Sequence, residues 1–456
     1  MSKTGEKVEK LREFYLTDQT KDLNFRKEQL KKLYAAIQKY ENEIMEALKQ
    51  DLNKAPFESY ESEIGIVYGE IRYALRHLKG WAKTRRAGTS ILHFPSKGRI
   101  YKEPYGVVLV MSPWNYPFQL TMVPLIGSIA AGNCTVLKPS EYSLHTAQIM
   151  EKIVEETFSD TYASVIRGGR AANQDLLKEK FDYIFFTGSP SVGRVVMAAA
   201  AEHLTPVTLE LGGKSPCIVD ETADIELAAR RIVWGKLLNA GQTCIAPDYL
   251  LVQSSVKDRL VREMQKQVTA FYGDHPETAK DYPKIINEKH FERLQRLLTD
   301  GKIVFGGQVN EETRQIAPAL IENVSWDSPI MQEEIFGPLL PVMTFEKLEE
   351  ILPEIRRRPK PLALYLFTSE QKVKTEIMRK VSFGGGCIND TIIHIANTGL
   401  AFGGVGESGM GHYHGKASFD TFTHEKPVVE KSNFLDIPLR YPPYQSHLSL
   451  LRKLMK

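Results

Sequence analysis

An α/β fold class is predicted: a doubly wound parallel-sheet domain, a second α/β domain and a small β arm. Three observations point to it. From Gly106 onward, short β-branched runs at 107–111, 135–137, 164–166, 183–186 and 207–209 alternate with helical patterns at 142–158 and 192–204. Strand and helix in that alternation imply parallel strands joined by crossover helices. A second alternation runs from Cys217 to about Asn389. The length of 456 residues allows two or three domains, at roughly 150 residues each.

The elements follow in order. In the first eighty residues Leu30, Leu33, Ile37, Tyr40, Ile44 and Leu48 recur at three- and four-residue spacing. After the break at Pro56, so do Ile64, Val67, Ile71, Leu75 and Leu78, so both stretches read as helices packed through one face. In the second alternation, 218–219, 249–252, 339–342 and 364–367 read as strands, and 225–238 and 256–272 as helices. The polar, extended segments 99–103 and 421–430 read as an arm that pairs across subunits. Arg356-Arg357-Arg358 reads as a solvated helix face. The tail from His447 is amphipathic but short, a terminal helix or frayed end; attachment to a membrane surface, the alternative, needs more buried apolar area.

Composition narrows the function classes. Hydrophobic residues at 42% and charged residues at 25% exclude a disordered or collagen-like chain. A formal charge of +3 gives no electrostatic reason for a nucleic-acid partner. No run of about 18 apolar residues spans a membrane, and no apolar stretch follows Met1 to mark a signal peptide. Four cysteines are too few for a disulfide scaffold, so reduced thiols in a cytoplasmic protein are expected.

Several short motifs are candidates for chemistry. The turn Thr187-Gly188-Ser189-Pro190-Ser191-Val192-Gly193 lies between strand and helix, where free amides and a positive dipole end suit a phosphate. It matches neither a Gly-x-Gly-x-x-Gly nor a Walker loop, and a plain turn with Pro190 starting the helix explains it equally well. Lys138-Pro139-Ser140-Glu141 ends a strand. Its carboxylate and ammonium suit a ribose diol, while Ser140 as N-cap is the plainer reading. Cys134 and Cys217 precede apolar runs and read as packing residues, and Cys387 as a strand start. Cys244, after Asn239-Ala240-Gly241-Gln242-Thr243, sits where glycine admits a ligand closely and is the candidate nucleophile. Glu210, in Leu209-Glu210-Leu211-Gly212-Gly213-Lys214, is either a general base or the partner of Lys214. His412 and His414 have no further ligands at metal spacing, so no metal site is expected.

Together, Pro113-Trp114-Asn115-Tyr116-Pro117, Lys138–Glu141, Thr187–Gly193, Leu209–Lys214, Gly241–Cys244 and Glu333-Glu334-Ile335-Phe336-Gly337-Pro338 resemble the aldehyde dehydrogenase superfamily, in its order and over nearly the whole chain. The segment Phe402–Gly411 with Tyr413-His414-Gly415-Lys416, and Arg440-Tyr441-Pro442-Pro443-Tyr444, resemble its class-three branch. The stretch 170–174 departs from the family pattern, at the adenine end of the expected site.

The resemblance implies an NAD(P)-dependent enzyme that oxidises aldehydes to carboxylic acids. Cys244 would be the nucleophile, Asn115 a donor to the oxyanion, and Glu210 the base that activates water. Lys138 and Glu141 would hold the adenosine ribose, Gly188, Ser189, Val192 and Gly193 the pyrophosphate, and Glu334 the nicotinamide ribose, with Phe336 beside the ring. Glu141 favours NAD, with NADP left open. Residues 1–83 and 104–210 would form the dinucleotide-binding domain, 211–412 the catalytic domain, 84–103 and 413–433 the oligomerisation arm, and 434–456 a tail. The branch is typically homodimeric. Tyr60, Tyr116, Ile392 and Ile393 are candidates to line an entrance for medium- or long-chain aliphatic or aromatic aldehydes. An acyl-transferring or acyl-reducing relative, or a non-catalytic one, are the alternatives.

Overall fold

The computed structural model describes residues 2–436, 440–444 and 448–455. A six-stranded sheet runs in the order Gly409–Met410, Val207–Leu211, Tyr183–Gly188, Val107–Met111, Cys134–Lys138, Ala163–Val165. All its pairings are parallel except that of Gly409–Met410 with Val207–Leu211. Cys134 and Cys217 are buried in strands, as expected of packing residues. The helices Lys3–Tyr15, Leu23–Lys39, Glu41–Leu52, Gly65–Trp81 and Leu144–Thr157 cover this sheet. Their spaced apolar residues, from Leu30 to Leu78, enter one core with the strands.

Two helices between the strands were not expected. Gln119–Ala131 is buried at all thirteen positions, so it has no polar face to mark its period. Arg170–Lys178 has a single buried residue, Leu176, and so little apolar stripe. The start of Leu144–Thr157 also differs from the expectation. Ser140 does not cap it; its hydroxyl accepts from Tyr142 N at 3.3 Å. The cap comes from Asp51, whose carboxylate accepts from His145 N and Thr146 N at 3.1 and 2.8 Å.

A seven-stranded sheet runs in the order Lys302–Phe305, Ala319–Glu322, Leu339–Phe345, Tyr249–Gln253, Pro216–Val219, Ala363–Phe367, Gly385–Ile388. Only Lys302–Phe305 is antiparallel to its neighbour. The two sheets are joined end to start: Val207–Leu211 leads through Gly212-Gly213-Lys214-Ser215 straight into Pro216–Val219. The carboxyl ends of the first sheet therefore adjoin the amino ends of the second, and ligands of open parallel sheets bind beyond carboxyl ends.

The arm is antiparallel. Ser96–Pro104 pairs along its full length with Thr423–Lys431 and, over three residues, with Arg85–Ala87. Within the tail, Leu448–Leu454 is a short helix; the remainder of that reading lies partly outside the described residues. Arg358 is not simply solvated: its guanidinium stacks over Trp326 at 4.1 Å.

Candidate active site

Four strand ends meet at the first sheet's carboxyl edge. The register pairs Met111 with Lys138, and Gly188 with Leu211. Loops leaving those ends present Asn115, Lys138 to Glu141, Gly188 to Gly193, and Glu210 to Gly213.

The candidate nucleophile loop is shaped by backbone strain. Asn239, Ala240 and Gly241 all have positive φ, at 54°, 50° and 74°. Gly241 is required there, since a Cβ would stand 2.2 Å from the carbonyl oxygen of Gly337. The loop is then tied down on three sides. Asn115 Nδ2 donates to Gln242 O at 3.0 Å, Tyr116 Oη and Thr243 Oγ1 lie 2.6 Å apart, and Tyr365 Oη donates to Ile245 O at 2.5 Å. Asn115 and Cys244, far apart in sequence, thus belong to one hydrogen-bonded unit. Burial first, and then the nearby carboxylates of Glu334 and Glu210, push the Cys244 thiol well up from its ordinary range.

Glu210 is 2% exposed, and neither carboxylate oxygen has a hydrogen-bond partner among the described residues. Burial pushes its pKa well above the ordinary carboxylate value. The expected alternative, a bridge to Lys214, is not formed. Lys214 pairs with Asp248 and donates to Ile330 O and Glu333 O, both at 2.9 Å. Asp248 in turn accepts from Ile335 N at 2.9 Å. This cluster fixes the turn that carries Glu334 and Phe336, a role for Lys214 and Asp248 that no motif announced.

Glu334 reaches across to the glycine pair after Glu210. A Cβ on Gly212 would stand 1.9 Å from its Oε2. Its Oε1 is buried and unpartnered among the described residues. Burial, then Asp248, lift its pKa to about 8. Phe336 takes a positive φ of 50° and packs edge-on against Trp114, with ring centroids 5.3 Å apart.

The other candidate residues line the same edge. Lys138 is buried, its ammonium donating to Pro139 O at 2.8 Å, and burial lowers its pKa to about 8. Glu141 is exposed and lies against Gly169, where a Cβ would meet its Oε2 at 2.0 Å. Ser189 caps the helix Pro190–Glu202, accepting from Val192 N at 3.4 Å, and Pro190 opens it. Gly193 lets that helix approach Leu211, with 2.7 Å left for a Cβ.

The entrance candidates divide. Tyr116 and Ile392 are buried, whereas Tyr60 and Ile393 are exposed. His414 is buried, with Nδ1 2.8 Å from Glu70 Oε1, and no group of three metal-ligating side chains occurs among the described residues. Cys387 lies in the strand Gly385–Ile388, its sulfur 3.5 Å from His394 Nδ1.

Comparison with known proteins identifies the family and the fold. The profile of the aldehyde dehydrogenase family matches residues 12–428. The 4,4'-diaponeurosporen-aldehyde dehydrogenase of Staphylococcus aureus is 52% identical over 445 residues, covering 97% of either chain. Aldehyde dehydrogenase family 3 member B1 of Mus musculus is 46% identical, covering 98% of this chain and 96% of its own. The substrate-bound structure of S. aureus AldH superposes with a TM-score of 0.98 at 50% identity over the whole of both chains. A betaine aldehyde dehydrogenase variant of S. aureus in complex with NAD+ shares the fold, with a TM-score of 0.85 at 24% identity over 95% of this chain and 89% of its own. The chain belongs to the aldehyde dehydrogenase family.

Proposed function

We propose that this aldehyde dehydrogenase works through a thioester on Cys244 that Glu210 hydrolyses. The observation that supports it most is Glu210 itself: a buried carboxyl with both oxygens unpartnered among the described residues, electrostatically coupled to the Cys244 thiol. Such a group, whose affinity for a proton burial raises, is suited to taking one.

The family membership brings a nicotinamide cofactor. The residues fit one: Glu334 offers an orphaned buried oxygen, and the absence of a side chain at Gly212 lets that carboxylate lie against the turn after Glu210. Glu334 would hold the nicotinamide ribose beside Phe336. Gly188, Ser189, Val192 and Gly193 would hold the pyrophosphate, and Lys138 and Glu141 the adenosine ribose. The exposed carboxylate of Glu141 favours NAD over its 2′-phosphorylated form, because it would repel that phosphate.

In the reaction, the Cys244 thiol gives its proton to solvent water and its sulfur adds to the aldehyde carbon. The resulting oxyanion accepts hydrogen bonds from Asn115 Nδ2 and the Cys244 backbone N–H. The bound nicotinamide supplies a hydride acceptor, and with hydride gone the carbon is left as a thioester. Glu210 takes a proton from water, whose oxygen attacks that carbon. The C–S bond breaks, releasing the carboxylic acid and the thiolate.

Medium- or long-chain aliphatic or aromatic aldehydes suit the exposed aromatic and aliphatic side chains of Tyr60 and Ile393. The S. aureus relative is itself named for 4,4'-diaponeurosporen-aldehyde. Residues 1–83 with 104–210 serve as the dinucleotide domain and 211–412 as the catalytic domain. The arm, 84–103 with 413–433, joins a homodimer. Four unpaired cysteines accord with the cytoplasm, and no described helix is long and apolar enough to cross a membrane.

The deciding experiment is Glu210→Gln with a panel of aldehydes and both nucleotides. A first-turnover burst of NADH should survive while steady turnover falls about 100-fold or more. Unchanged turnover would remove Glu210 as the base and favour an acyl-transferring reading.

A further inference from the structure

Behind Asn115 lies a buried charge cluster that the reaction as written does not use. Lys54 and Glu63 are both fully buried, with Nζ to Oε1 at 2.5 Å. Lys54 Nζ also donates to the Asn115 main-chain oxygen at 2.9 Å and sits 3.9 Å above the Tyr116 ring. The second oxygen of Glu63 accepts from Phe118 N at 2.8 Å and Gln119 N at 3.1 Å. It therefore closes the start of the buried helix Gln119–Ala131, where a negative charge is favoured. The Asn115 oxygen takes a further bond from Asn239 Nδ2 at 2.8 Å, and Asn239 N donates to Glu58 at 2.7 Å. Glu58 and Glu63 belong to one short run, Pro56–Ser59 followed by a π-helical turn at Tyr60–Ile64. Such turns are rare and concentrate near functional sites.

A buried ion pair is a poor source of stability, because desolvation offsets its attraction. Its value here is geometric. The chain between Met111 and Gln119 has no regular structure around Asn115. The pair fixes that chain from both sides, through the Asn115 carbonyl and the helix start after it. We propose that Lys54 and Glu63 are positioning residues of the oxyanion hole, aiming the Asn115 amide by holding its backbone between the Tyr60–Ile64 turn and the nucleophile loop. This rests on the reading of Asn115 as oxyanion donor.

A double-mutant cycle tests it, read by the rate of the NADH burst. Asn115→Ala alone should slow the burst about 100–1000-fold; a normal burst there would overturn the oxyanion reading itself. Lys54→Met should slow it about 10–100-fold, the scale expected of a misaimed group. In the Asn115→Ala background the same change should have an effect within about twofold, since its target is already gone. Alkylation of Cys244 by iodoacetamide and the NAD dissociation constant should be unmoved, as neither needs an oxyanion donor. Lys54→Arg should restore part of the rate. If Lys54→Met leaves a soluble protein unattainable, Lys54→Met with Glu63→Gln removes both charges together and enters the same cycle. Full multiplication of the two effects, or a parallel loss of alkylation and NAD binding, would overturn the proposal and leave the pair a purely structural role.

Discussion

Burial holds the protons of Cys244 and Glu210 on more tightly than in water. Raised pKa values mean that the charged forms grow as pH rises. Both the rate of Cys244 alkylation and kcat/KM should therefore climb between pH 7 and pH 9; a flat or falling profile would contradict the assignment. Gly212 is constrained in its own way. Its Cβ position is occupied by the Glu334 carboxylate, so Gly212→Ala should displace that carboxylate without disturbing the strand. An overpacking cost of about 1–3 kcal/mol corresponds to an NAD dissociation constant raised about tenfold or more, which a fluorescence titration would detect. Cys244, Glu210 and Glu334 stand out as candidates in the sequence because each sits in a short motif with a glycine two or three residues away. Lys54, Glu58 and Glu63 do not. Charged residues usually signal solvent, and nothing local says that these are buried.

Helices show the same division. Gly65–Trp81 and Leu23–Lys39 were evident from their stripes, because only one face meets the core. Gln119–Ala131 carries no stripe to read because it is buried on every face, and it holds Pro124, a residue that disfavours helix interiors. The run from Pro56 to Ile64 holds Glu58, whose pKa burial lifts to about 7 despite Lys54 and the Asn239 N–H. Unfolded glutamate titrates near 4.3, so the folded state binds this proton more tightly. The stability it supplies is complete below about pH 4.3 and is lost as pH rises through about 7. Glu58→Gln keeps an acceptor for Asn239 N while removing the titration. Urea unfolding should then lose less stability between pH 5 and pH 8 than the parent does, by about 1–3 kcal/mol.

Across the whole molecule, two mainly parallel sheets meet carboxyl end to amino end through four residues, Gly212 to Ser215, next to Glu210. The arm stands apart, with Thr423–Lys431 pairing on one side only among the described residues and Val428 and Val429 exposed. An unpaired edge of nine residues is a template for another strand. Light scattering should report a dimer, and Val429→Lys should shift it toward monomer while leaving the NADH burst of the remaining dimer intact. A monomeric parent would remove the arm from that role.

From the sequence alone came the α/β class, the strand runs of the first sheet, the motif order of the family and the candidates for its reactive residues. These depend on local signals: period, turn glycines and short polar motifs. Only the folded chain decided that Lys214 serves Asp248 and not Glu210, that Asp51 caps a helix some ninety residues away, and that a buried lysine stands behind Asn115. Each is a pairing of charges across long sequence separation, and which partner a charge finds depends on what burial brings beside it.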